Sequence, residues 1–332
     1  MSELPLLPVA GIGSFPKPGD LFKAEMAPLQ AQDSASMRAM REAAVKDWLA
    51  IQEEAGVDLA VDGEMYRRSM TTYFLEGWDC ADLDPDPVWV MDNMYGQRSI
   101  ITRPARRLRR LLLEWYRFAR AHTHLPLKVT ITGAYTLRDW VFDRYYGSRR
   151  EAVNALAEYV REEVQALVAD GFRYIQIDEP AFVTRYDQPD ELDLAIAAMR
   201  RVLDGTPAEV TVLTHMCYGA FHEVYPKMLE LPAKVFCLEL SHATPEMLEV
   251  LRRHPFPPDR ALGFGVVDVM DPRVESVDEI EGRITLALDY LDPAQLWINP
   301  DCGFQTLPHD AAVSKLRNLV QATRKVREAI SG

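Results

Sequence analysis

The sequence predicts a (β/α)8 TIM barrel, an α/β fold, running as one catalytic domain through residues 1–332. Two observations carry this. Short β-rich runs alternate with longer segments of helical period, the order in which helices cover a parallel sheet. Eight such runs can be counted, and polar residues gather where they end, the face on which barrels build their sites.

The expected strands are 9–15 (VAGIGSF), 59–65 (LAVDGEM), 127–133 (LKVTITG), 174–180 (YIQIDEP), 209–217 (EVTVLTHMC), 235–241 (VFCLELS), 261–268 (ALGFGVVD) and 296–303 (LWINPDCG). Helices are expected over 36–55, 149–170, 244–253, 276–291 and 310–330. Ser276 stands before one of them and Thr244 before another with Pro245 at its first turn, both favoured at a helix start. The segment 79–104 fits neither period and reads as an excursion between strands two and three, with room for a hairpin. The basic stretch 106–120 repeats Leu108, Leu111, Leu112, Trp115 and Ala119 at helical spacing, which predicts an outer helix with a solvated arginine face. The competing reading makes that face a dock for an acidic partner.

Composition narrows the function. Fifty acidic against 37 basic residues give a formal charge of −13, which repels phosphate backbones and anionic lipid, so neither nucleic acid nor a membrane surface is an expected partner. No apolar run approaches a membrane span and the N-terminus lacks a basic, then apolar leader, so a cytoplasmic location is expected. Four scattered cysteines are too few for a disulfide framework and read as thiols or metal ligands.

At the strand ends stand Gly13 and Ser14, Asp62 and Glu64, Asp178 and Glu179, His215 and Cys217, Glu239, then Asp301 and Cys302. Each alone has a structural explanation; their shared rim points to a site. His215 and Cys217, two apart on a strand, face the same side. With Glu239 and Cys302 they supply one imidazole, two thiolates and a carboxylate, a donor set for tetrahedral Zn²⁺. Cys237 shares the face of Glu239 but sits deeper, as a core thiol. Such an electron-rich centre suits a soft sulfur ligand, deprotonated yet nucleophilic, so thiol alkylation is the expected chemistry.

The motifs THMCYGAF, CLELSHATPEMLEVL, LGFGVVDVMDPRVESVDEIEGRI and LWINPDCGFQTL resemble the catalytic domain of the cobalamin-independent methionine synthase family. GIGSFPKP, DGEMYRRSM, TITGAYTLRDW and YIQIDEPAF match its earlier motifs in order, from about residue 8 onward. The resemblance implies that His215, Cys217, Glu239 and Cys302 bind the catalytic zinc. It also implies that Ile12, Gly13 and Ser14 hold the carboxylate of homocysteine, and that Glu64 and Asp178, the residues assigned to catalysis, take its ammonium group. Trp140 matches an active-site tryptophan of the family.

Two departures bear on the methyl donor. The full-length family enzymes resemble two fused barrels, the first helping to bind folate, and this chain matches the second. The family's Asp-Ile-His-Ser-Pro motif, whose histidine the family uses as proton donor, reads Asp268-Val269-Met270-Asp271-Pro272. Met270 cannot transfer a proton. Both losses fall on the donor side, so the resemblance to short core enzymes implies methylcobalamin or a methylated corrinoid protein as donor. The rival keeps methyl-folate, with Asp271, water or another protein replacing the histidine. A further rival changes the acceptor to a thiol such as coenzyme M, against which Glu64 and Asp178 argue because that thiol has no ammonium. A non-catalytic zinc- or corrinoid-handling protein would not need those carboxylates either.

Overall fold

The computed structural model describes residues 4–25, 34–91, 94–107, 109–219 and 221–331. Nine strands are found among them: β1 (Ala81–Met91), β2 (Met94–Ile101), β3 (Lys128–Thr132), β4 (Phe142–Asp143), β5 (Tyr174–Asp178), β6 (Thr211–Met216), β7 (Val235–Leu238), β8 (Ala261–Gly265) and β9 (Leu296–Asn299). Six of them form one parallel sheet in the order β3-β5-β6-β7-β8-β9.

The first two expected strands close this sheet into the barrel. Val9 bridges Ile298, Ala10 bridges Leu59 and Ala60 bridges Leu127, each in parallel. These are single bridges instead of ladders, because side chains take the backbone groups a ladder would use. Gln52 bonds both the N–H and the carbonyl of Val61, at 3.0 and 2.8 Å. Asp58 accepts from Val9 N, Lys128 Nζ donates to Gly11 O, and Gln176 Nε2 donates to Ile12 O.

Two apolar clusters hold the layers together. The larger lies between sheet and helices, and a small one of Ile12, Leu213, Val235, Cys237 and Ala261 fills the barrel interior. Cys237 is thus the core thiol expected. Inward positions of β3 and β5 are polar instead: Lys128, Thr130, Thr132, Gln176 and Asp178 are all buried.

The helices follow the sequence closely. Ala35–Ala55, Arg149–Ala169, Pro245–Arg253, Val277–Leu288 and His309–Ser331 stand where periodicity placed them. Ser276 makes a full capping box with Glu279, and Thr244 caps Met247. The basic stretch differs. Its helix spans only Leu113–Arg120, because the N–H groups of Leu111 and Leu112 are taken by the Glu163 carboxylate and the Leu111 carbonyl by Tyr73. Leu108 lies outside the described residues. Arg106 pairs with Asp79, Arg107 with Glu162, and Arg117 and Arg120 with Asp170, so these charges are spent within the chain instead of facing an acidic partner.

The excursion is an antiparallel hairpin of β1 and β2, and β2 pairs in parallel with β4, just beyond Trp140. Among the described residues no helix is long and apolar enough to cross a membrane.

Candidate metal centre and substrate pocket

Strand register sets the centre. Asp178 lies opposite His215, and His215 opposite Cys237, across β5, β6 and β7. Cys217 follows β6 and Cys302 follows β9. Ligand atoms of His215, Cys217 and Cys302 lie within 4.8 Å of one another.

His215 is fixed by a 3.0 Å contact from Nδ1 to the Cys237 carbonyl, which makes Nδ1 the protonated nitrogen and turns Nε2 towards the thiols. That buried Nε2 has no hydrogen-bond partner, although it faces Cys302. The two sulfurs stand 3.5 Å apart, within hydrogen-bond reach of one another. That hydrogen bond, then the His215 imidazole, hold the Cys302 thiol well below its usual range. The Cys217 thiol is pushed up for the converse reason, with burial adding to it. A buried, unpartnered nitrogen facing two thiols, one already disposed to ionise, fits Zn²⁺.

Glu239 is not part of this group of three. Its carboxylate accepts from Tyr218 N at 2.8 Å, next to Cys217, whose thiol feels its charge. Tyr218 adopts φ +58°, a left-handed conformation rare outside glycine, and turns the chain so that its N–H meets Glu239. Asp301 supports the same region from below: it accepts from Leu240 N, Ser241 N and the Ser241 hydroxyl.

Beside the thiols lie the carboxylates. Glu64, also left-handed at φ +59°, accepts from Arg67 at 3.0 Å and from Thr130 Oγ1 at 2.7 Å. Gly13 packs against it so closely that a Cβ would stand 2.5 Å from Glu64 Oε1. Ser14 lies against Gly303, next to Cys302, so the three residues of the first strand sit between carboxylate and thiols. The carbonyl of Ile12 is taken by Gln176, which also donates to Asp178 at 2.7 Å. Burial pushes the Asp178 carboxyl up to about 7, against the pull of His215 and with the push of Glu64. A cation brought beside such a pair favours its charged form.

Glu179 serves the fold instead. Buried, it accepts from Tyr135 N, Thr136 N and the Thr136 hydroxyl, and so caps the helix Ala134–Asp139. Trp140 ends that helix, half-buried against the main core. Arg67, Thr130 and Gln176 were not singled out as site residues in the sequence. Thr130 and Gln176 stand two positions before Thr132 and Asp178, so strand alternation could have found them.

On the far side of the rim Met270 is exposed, and its sulfur receives the Tyr218 hydroxyl at 3.3 Å. Asp271 accepts from Arg273 N and faces the Arg273 guanidinium. A second imidazole stands here: His242 Nε2 lies 2.9 Å from Asp268 Oδ2.

Residues 7–325 match the family described as cobalamin-independent synthase, catalytic domain. The methionine synthase of Pyrococcus abyssi is 35% identical over 336 residues, covering 99% of this chain and 95% of that protein. The 5-methyltetrahydropteroyltriglutamate–homocysteine methyltransferase of Salinibacter ruber is 35% identical over 341 residues, but there the chain spans only 43% of the relative's length. Among solved structures, a B12-independent methionine synthase from Shewanella sp. W3-18-1, in complex with selenomethionine, superposes with a TM-score of 0.85 at 27% identity, covering 99% of this chain and 100% of that one.

The match to a cobalamin-independent family overturns the expectation of methylcobalamin or a methylated corrinoid protein as methyl donor. The physical support for that expectation was the missing imidazole at position 270. It fails as an argument because position 270 is one side chain on a rim that carries His242 as well.

Proposed function

The chain belongs to the cobalamin-independent synthase catalytic-domain family, and is a methyltransferase; from that premise we propose that it methylates the thiol of homocysteine with methyl-tetrahydrofolate as donor, giving methionine. The observation that carries this is the group of His215, Cys217 and Cys302, the first two buried and the third half-buried, with an unpartnered imidazole nitrogen, set beside the Asp178 carboxyl, which feels the charges of His215 and Glu64.

In this reading His215, Cys217 and Cys302 would hold zinc, with Glu239, which stands beside Cys217 on the N–H of Tyr218, as the fourth candidate ligand. Bound there, zinc keeps an incoming thiol deprotonated without removing its nucleophilicity. The remaining work belongs to the chain. Glu64 and Asp178 receive the ammonium group of homocysteine, each already oriented by a hydrogen bond, from Thr130 and Gln176 respectively. Ile12, Gly13 and Ser14 line the carboxylate end, where Gly13 leaves room for Glu64 to approach. Trp140 offers a flat apolar surface for the donor. Holding both ends of the amino acid aims its sulfur at the methyl carbon, which is where most of the rate advantage of such a site arises.

The test supplies zinc-loaded protein with homocysteine and either mono- or polyglutamyl methyl-tetrahydrofolate and measures methionine. Methionine from either form supports the reading; none from both, with zinc bound, overturns it.

A further inference from the structure

We propose that His242 is a catalytic residue, the general acid that delivers a proton to the nitrogen from which the methyl group leaves. The proposal rests on the methyl-folate reading above.

The position of His242 is built from two sides. Behind it, Asp301 holds the N–H of Leu240 at 3.0 Å and of Ser241 at 2.9 Å, and Asp301 is the neighbour of Cys302. The imidazole is therefore tied to the same frame as the thiols. In front, Nε2 meets Asp268 Oδ2 at 2.9 Å while the side chain remains 71% exposed, which leaves Nδ1 for exchange.

Asp268 is itself pinned at both backbone atoms. Glu275 accepts its N–H at 2.8 Å, and Lys315 donates to its carbonyl at 2.8 Å. Glu275 and Lys315 pair with each other at 2.6 Å, with side chains 1% and 0% exposed. A buried ion pair adds little net stability over an apolar substitute, so its use to anchor one rim residue points to a positional role. The carboxylate so placed also receives Met270 N, and Met270 touches Tyr218, the residue after Cys217. A run of contacts thus leads from His242 through Asp268, Met270 and Tyr218 to the residue beside Cys217. Asp271, the other candidate, is engaged with the backbone N–H and guanidinium of Arg273.

The chemistry requires such a group. As the thiolate sulfur bonds to the methyl carbon, the carbon–nitrogen bond breaks and its electron pair returns to nitrogen. The amide anion of a ring nitrogen is too basic to leave, so a proton must reach that nitrogen during the step. Imidazolium His242 gives its Nδ1 proton and keeps Nε2–H on Asp268. Thiolate and imidazolium become a neutral thioether, a secondary amine and a neutral imidazole, which takes a proton back from water.

The test uses the zinc-loaded full chain and two donors. His242→Gln should lower turnover with methyl-tetrahydrofolate by about 10²–10⁴-fold, the usual contribution of a general acid. Protein-dependent methylation of homocysteine by methyl iodide, whose leaving group needs no proton, should be unchanged, as should zinc content. Imidazole added to His242→Gly should restore folate-dependent turnover. Equal loss with both donors, or no loss with methyl-folate, overturns the proposal. If the unaltered protein uses methyl iodide but not methyl-folate, the donor reading falls and this proposal with it, while the thiol-handling centre stands.

Discussion

The two halves of the rim are built on opposite terms. On the sulfur side, His215 is carried by β6 with Cys217 just beyond its end, and both are buried. On the donor side, His242 and Met270 are exposed, sit on loops, and are held through the backbone of Asp268 by charges hidden behind them. Ligands that must keep a fixed geometry away from water gain from strand ends, whose ladders fix them directly. A group that must meet a large donor at the surface gains from a loop, provided something rigid pins it.

That contrast can be broken most sharply on the sulfur side. Cys302→Ser removes a ligand from the buried group, and zinc affinity should fall at least about a hundredfold, with turnover following. Metal analysis after dialysis together with a methionine assay would detect it, and a fully active, zinc-replete variant would sink the metal assignment. On the donor side the corresponding blow is Glu275→Ala, which strands the buried Lys315. Urea unfolding should show a loss of about 3–5 kcal/mol. Zinc retained by the folded fraction would show that the two halves are separately supported; loss of both together would erase the distinction.

Smaller changes sharpen it. Gly13→Ala puts a methyl group against Glu64 and should raise the KM for homocysteine about tenfold, the equivalent of one charge-assisted hydrogen bond, with zinc content unchanged. An unaltered KM would remove Glu64 from the amino-acid pocket. The smallest effect concerns Asp268. Burial alone would push its carboxyl up, but the hydrogen bonds from His242, Met270 N and Asp271 N outweigh it and hold the group below its ordinary value of 3.8. A depressed carboxyl stabilises the fold above its unfolded pKa, and that contribution disappears as pH falls through the folded value. Asp268→Asn should therefore cost less than about 1 kcal/mol near neutrality, since its imidazole partner is exposed to solvent, and nothing in strong acid. A difference from the unaltered protein that grows on acidification would reverse the sign and reject the assignment.

Much of this molecule was legible because its periods are local. Strands β3 and β5 to β9 and five long helices follow from local patterns, and Ser276 with Glu279 marks a helix start without any tertiary information, whereas the short β4 was not expected. The first two strands were legible as segments but not in their pairing, since Gln52, Lys128 and Gln176 replace ladder partners from distant elements. The helix expected over 106–120 lost its first turns to Glu163 and Tyr73, residues 51 or 52 and 38 positions away. Glu239 was placed with the other three ligands by its residue type and strand-end position; its contact with the N–H of Tyr218 depends on a left-handed backbone that no sequence pattern announces.

The sequence by itself determined the barrel and the inventory of its rim, because hydrophobic period and strand-end position are properties of short stretches of chain. It also determined that an imidazole is missing at position 270. Only the tertiary structure decided which side chains share a space: that His215 leaves one nitrogen open towards two thiols, and that His242, 28 residues before Met270, stands on Asp268 at the same edge. Those facts depend on loops packed against one another across the barrel, and closure brings together groups whose separation along the chain carries no signal of contact.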